Sequence, residues 1–153
     1  MAGDLRAEDL LQEAYRGIGD VAILARTTGI GSVVAAVKPG DGSAREQAAS
    51  CQKVLGGWAN IASAYATKRY RSNLINWGML PFTVDDFEAL ALKNGDRIFI
   101  QGIRKAVESA AADIRASLYR TNGAVEEICL HLTDLSADER KIILAGSLIN
   151  FYN

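Results

Sequence analysis

Residues 40–50 read GDGSAREQAAS, which sets Ser43, Arg45 and Glu46 within one helical turn, directly behind two glycines that bracket Asp41. The S-x-x-E spacing fits a helix start. Ser43 would accept from the third helical N–H and Glu46 would reach back to the cap N–H, worth about 1 kcal/mol. The same residues also fit an anion site. A strand that feeds a glycine-rich turn into a helix start aims free backbone N–H groups at one point, and a guanidinium in the first turn adds bidentate carboxylate recognition. In that reading Arg45 binds a carboxylate, Gly42 and Ala44 are small enough to let it approach the backbone, and Asp41 and Glu46 support the turn. Ser43, if reactive, is activated by cations and backbone dipoles.

Imidazole is not available for that task. The single histidine, His131, falls on a predicted hairpin strand, where it reads as structural, and no G-x-S-x-G nucleophile elbow is present. Cys51 and Cys129 are too few and too far apart for a thiolate metal site, so no metal is expected on this chain, and both read as small buried apolar residues. Lys plus Arg at 17 balance Asp plus Glu at 18, which argues against a nucleic-acid partner. Apolar residues make up 49% of the chain, but no run approaches the roughly 20 residues that span a bilayer. The opening MAGDLRAEDLLQEAYRG carries acids where a signal peptide is basic or apolar, so a cytoplasmic location is expected. Gly29 and Gly31 follow an apolar run but lack the third glycine and the acid of a dinucleotide loop. Lys68, Arg69 and Arg71 read as a solvated helix face, or else as a border that raises the potential of the cleft.

The elements that must carry these residues follow from periodicity. Ala7 to Arg16 has helical spacing and ends at Gly17. DVAILAR and SVVAAV read as short buried strands, and KPGDG as a turn. From Ser43 a helix places Ala44, Ala48, Cys51 and Leu55 on one face and stops at Gly56-Gly57. WANIASAY predicts a strand, ATKRYRSNLINWG a helix with Tyr70, Leu74 and Trp77 on one face, and MLPF an extended segment. Tyr65 and Phe82 join those aromatics as expected core. A short helical piece and an Asn94-Gly95-Asp96 turn lead to a strand over Arg97 to Ile100. A β-hairpin follows, with Ile114, Ala116 and Leu118 facing Ile128, Leu130 and Leu132 across Asn122-Gly123. Ser136 and Glu139 form a second capping-box pattern before a closing amphipathic helix through Ile142, Ile143, Gly146 and Ile149.

GDGSAREQAA resembles the signature of the aconitase family's swivelling domain, a G-x-G-S-S-R-E-[HQ]-A-A run that starts a helix. The likeness continues through LGGWANIASAYATKRYRSNLINWGMLPF, with its asparagine-leucine pair and G-[IL]-L-P-[LF] segment, and through NGDRIFIQGI to the closing helix. It covers residues 33–153, leaves residues 1–32 as an unassigned lead-in, and treats 1–153 as one domain. The resemblance implies an α/β fold, a layered swivelling domain with a mixed β-sheet covered by helices. It also implies reversible dehydration of a hydroxy-carboxylic acid, with Ser43 as catalytic base and Arg45 as carboxylate clamp. A [4Fe–4S] cluster is expected in the rest of the parent enzyme and not on this chain, whose two cysteines cannot hold one. The partners implied are the remaining aconitase-like domains and a small carboxylic-acid substrate. The tail resembles single-chain members, so the resemblance implies an excised domain rather than a separate subunit. Ala44 departs from the pattern, because the family's second serine would contact substrate. A non-catalytic anion-binding or regulatory domain is therefore the alternative.

Overall fold

The computed structural model describes residues 7–42 and 45–153. Contacts divide the chain into two compact units, one ending at Ile30 and one running from Gly31 to Asn153.

In the first unit α1 spans Ala7–Tyr15 and α2 spans Val21–Thr27. Tyr15 is buried and its hydroxyl donates to the Thr28 carbonyl at 2.7 Å, which pins the first helix to the end of the second. The strand expected over DVAILAR is a helix. A short apolar run does not distinguish strand from helix by itself, and here Asp20 decides by capping, its carboxylate accepting from Ile23 N at 3.0 Å. Thr27 then returns its hydroxyl to the Ile23 carbonyl at 2.9 Å.

In the second unit β1 (Ser32–Ala35), α3 (Arg45–Val54), β2 (Gly57–Ala62), α4 (Lys68–Asn76) and β3 (Leu80–Thr83) make two successive parallel crossovers. Then come α5 (Phe87–Leu90), β4 (Arg97–Phe99), α6 (Ile103–Glu108), the hairpin β5 (Asp113–Tyr119) and β6 (Val125–His131), α7 (Ala137–Ala145) and α8 (Leu148–Tyr152). The sheet is six-stranded, mixed, and ordered β1-β2-β3-β6-β5-β4. This is the expected α/β layered fold. Its parallel and antiparallel halves meet at β3 and β6, through the single pair Thr83 and His131.

The hairpin forms in the expected register, with Ile114 opposite Leu130 and Ala116 opposite Ile128. The Ser136–Glu139 capping box is made in both directions. Three expectations change. The strand β1 is exposed along its length rather than buried, as the edge of the sheet. The closing helix is two helices, because Gly146 takes a left-handed conformation that ends α7 and Ser147 caps α8. On α3 the inward residue is Ala49, while Ala48, Cys51 and Leu55 face solvent. The helix α6 had no counterpart in the sequence reading.

The main core gathers Ile61, Phe82, Leu130 and Ile142 with their neighbours from the sheet, α4, α6 and α7. Burying such a side chain stabilises the fold by about 1.5–3 kcal/mol. A second cluster of Ala49, Tyr70, Leu74 and Met79 joins α3 to α4. The ends of α4 and α7 touch backbone to backbone: a Cβ on Gly78, whose φ is +72°, would lie 2.1 Å from the Gly146 carbonyl oxygen.

Arg120 ties the α5–β4 connection to the hairpin. It pairs with Glu126, bonds the Leu90 and Ala91 carbonyls, and meets Asp96 at 3.2 Å. The Asp96 side chain is only 4% exposed and also accepts from Lys93 N and Thr121 N. Burial alone would raise its pKa, but these two amides and the Arg120 guanidinium together hold the carboxyl below its ordinary value of 3.8.

Gly78→Ala combines a left-handed backbone with a backbone clash, and should lower stability by more than about 2 kcal/mol in urea unfolding; a loss below about 0.5 kcal/mol would refute the close approach. A depressed folded pKa gives stability that is present above the unfolded pKa and lost as pH falls through the folded one. Asp96→Asn should therefore be less stable than wild type at pH 7, with the gap closing as the pH falls below 3.8. A gap that stays constant with pH would mean that the Asp96 charge does not matter.

Candidate functional site

The carboxyl ends of adjacent parallel strands are where open α/β sheets bind ligands. Here two connections leave that edge, residues 36–42 after β1 and residues 63–67 after β2, and they are clasped together. Ser63 N and Ala64 N donate to the Val37 carbonyl at 3.0 and 3.3 Å, and Ala66 N donates to the Pro39 carbonyl at 2.9 Å. Thr67 caps α4 by accepting from Tyr70 N at 3.2 Å, and its hydroxyl also lies 3.5 Å from the Gly40 carbonyl.

Gly40 is required at its position. Its φ is +97°, and a Cβ there would fall 2.6 Å from the Tyr70 ring. Tyr70 is in turn held from below, since Asn60 Nδ2 donates to its hydroxyl at 3.0 Å. The Asn60 side chain oxygen takes the Gln52 amide of α3, which also donates to the Ala59 carbonyl at 3.2 Å. Tyr65, on the second connection, donates to the Phe82 carbonyl at 2.9 Å, and burial raises its pKa so that the phenol stays neutral.

Asp41 and Gly42 are exposed at the end of the first connection. Ser43 and Ala44 lie outside the described residues, and with them the serine half of the capping pair. Arg45 opens α3, and Glu46 is exposed in its first turn. The Arg45 Nε is buried and has no hydrogen-bond partner among the described residues, and the same holds for Asn73 Nδ2 on α4. Such a donor costs about 1–3 kcal/mol if nothing accepts from it, so Arg45 is a group that an added acceptor would satisfy. Asn73 had no role in the sequence reading beyond the asparagine-leucine pair.

The basic trio divides. Lys68 and Arg69 are exposed in the first turn of α4, at the same sheet edge as Arg45, whereas Arg71 donates to the Thr133 and Asp134 carbonyls and ties α4 to the segment after β6.

His131 is engaged elsewhere, its Nδ1 2.7 Å from Asp113 Oδ1 and its Nε2 3.2 Å from Asp85 Oδ2. The hydrogen bond to Asp113, then the one to Asp85, raises its pKa. Both cysteines are exposed free thiols, correcting the expectation that they are buried. Cys51 is turned outward because Ala49 and Gln52 take the inner face of α3, and Cys129 occupies the outer face of the hairpin. Two thiols on separate elements do not fit a [4Fe–4S] cluster, which takes Cys₄ or a near equivalent. No helix among the described residues is long and apolar enough to cross a membrane.

The family model for the aconitase C-terminal domain matches residues 7–86, which takes in residues 7–32 where the sequence reading found no resemblance. The chain is 29% identical over 146 residues to aconitate hydratase A of Rickettsia bellii, covering 92% of this chain and 16% of that protein. It is 31% identical over 121 residues to a protein of Emericella nidulans described as a candidate mitochondrial aconitate hydratase, covering 77% of this chain and 15% of that one. The chain thus spans about a sixth of the curated relatives it matches. A crystal structure of 3-isopropylmalate dehydratase from Methanocaldococcus jannaschii superposes with a TM-score of 0.55 at 28% identity, covering 97% of this chain and 77% of that one. With a family match over more than half of its length, this chain belongs to the aconitase C-terminal domain family.

Proposed function

We propose that residues 1–153 act as one swivelling domain of an aconitase-like hydratase, which contributes Arg45 as the clamp on a substrate carboxylate and Ser43 as the base. The observation that carries this reading is the buried Arg45 Nε at the start of α3, without a partner among the described residues and behind a connection fixed by its neighbour. A carboxylate supplies the missing acceptor. The helix start and the exposed Lys68 and Arg69 add positive potential at the same edge.

In the proposed reaction Ser43 takes a proton from carbon while a hydroxyl leaves the adjacent carbon and a double bond forms; rehydration is the reverse. The helix dipole and Arg45 favour the ionised serine that this requires. The leaving hydroxyl is received by groups of the partner domains, and a [4Fe–4S] cluster, if the parent enzyme uses one, takes its ligands from those domains. Those domains are the proposed partners.

Ala44 favours a second reading, in which the domain binds a carboxylate and has no chemistry. Two measurements separate them. In the complete enzyme, reconstituted anaerobically with iron and sulfide, Ser43→Ala should lower kcat by about 10²–10⁴-fold with substrate binding retained. Equal turnover in both proteins would return Ser43 to the role of a helix cap. Arg45→Gln should weaken tricarboxylate binding by roughly ten- to a hundredfold, followed by calorimetry or NMR shifts; unchanged binding would sink the clamp in either reading.

A further inference from the structure

The outer face of the hairpin carries a group of side chains that the hydratase reading does not use. Asp113 stands directly across the ladder from His131, and Cys129 lies two residues earlier on β6, on the same face, opposite Arg115. One ligand atom from each of Asp113, Cys129 and His131 lies within 4.8 Å of the other two. Asp85, just beyond β3, reaches the same imidazole from the other side, with its Oδ2 3.2 Å from Nε2.

We propose that Asp113, Cys129 and His131 form a binding site for a divalent transition metal of the zinc type. The imidazole would bind through Nδ1, and Asp85 would hold the Nε2–H. The donor set selects the metal class. Carboxylates alone suit magnesium or calcium, whereas a thiolate with an imidazole favours zinc, cobalt or nickel. An aspartate on the far ring nitrogen fixes the tautomer that leaves Nδ1 free for metal, the arrangement in which metal-binding histidines are commonly held.

The geometry requires little change. Zinc holds nitrogen or oxygen at about 2.0–2.2 Å and sulfur at about 2.3 Å, so tetrahedral ligand atoms lie roughly 3.3–3.8 Å apart. The 2.7 Å contact between Nδ1 and Asp113 Oδ1 would open slightly as the metal replaces the shared proton, while the thiol, within 4.8 Å of its partners, closes to bonding range. Both outer ligands are free to move, since the Asp113 carboxylate is 72% exposed and Cys129 is exposed. Binding releases the thiol proton and the Nδ1 proton, and a water completes the fourth position. Two anionic ligands cancel the charge of the ion, so the guanidinium of Arg115 is tolerated beside it. A bound ion would link β5 and β6 to Asp85 across the β3–β6 junction.

The test is a cobalt titration of the 153-residue chain under anaerobic conditions with a non-thiol reductant. The expected result is one equivalent of Co²⁺ bound, with a thiolate-to-cobalt charge-transfer band in the near ultraviolet and the visible bands of four-coordinate cobalt, both bleached by Zn²⁺. Cys129→Ser should remove the charge-transfer band and Cys51→Ser should keep it. Asp85→Asn should weaken binding by roughly ten- to a hundredfold. Absence of the band in the wild-type chain, its survival in Cys129→Ser, or its loss in Cys51→Ser would overturn the proposal. Circular dichroism of each variant separates ligand loss from unfolding.

Discussion

The amide of Asn60 fixes the geometry of the candidate site. It is fully excluded from solvent in the middle of β2. A buried amide is costly unless both of its ends are paired. One end takes Gln52 of α3 and the other gives to Tyr70 of α4, so each crossover helix must come to rest where its partner atom is waiting. The ring of Tyr70, held in that position, then leaves room only for glycine at residue 40. The shape of the connection that carries Asp41 and Gly42 toward Arg45 is therefore inherited from a polar contact in the interior.

This explains which parts of the molecule could be read in advance. The hairpin and the Ser136–Glu139 cap depend on local chemistry, an alternating pattern and a four-residue signature, and both formed as read. The α3 face did not, because periodicity counts apolar residues while a glutamine claims the inner side to satisfy Asn60. DVAILAR looked like a strand because its apolar run is short, and the deciding residue, Asp20, stands outside that run. The sequence reading reached Arg45 from the glycine-rich helix start and then from a family likeness, but the buried state of its Nε, unpaired among the described residues, emerges only once α3 and α4 are packed. The approach of His131 to Asp113 links residues 18 positions apart and depends on hairpin register.

In the proposed reading the labour is divided. The domain carries the parts that recognise charge and move a proton, both products of a helix start and a clasped turn. Its two cysteines, exposed on α3 and β6, have no part in that site. A hydroxyl is missing where the family pattern has a second serine and this chain has Ala44, so in the proposed reading the contacts that tell one hydroxy-acid from another are weighted toward Arg45 and the backbone.

The junction between β3 and β6 has a mechanical consequence. The β5–β6 ladder runs the full length of both strands, yet the two halves of the sheet share one rung, Thr83 and His131. Continuity across that seam rests on the packing of Phe82, Val84, Leu130 and Leu132, reinforced by the imidazole between Asp85 and Asp113. A single rung offers fewer backbone hydrogen bonds to resist opening than the ladders on either side of it. A load applied across the sheet would therefore be taken up at this line first, leaving the parallel half and its clasped connections to move as a single stiff plate.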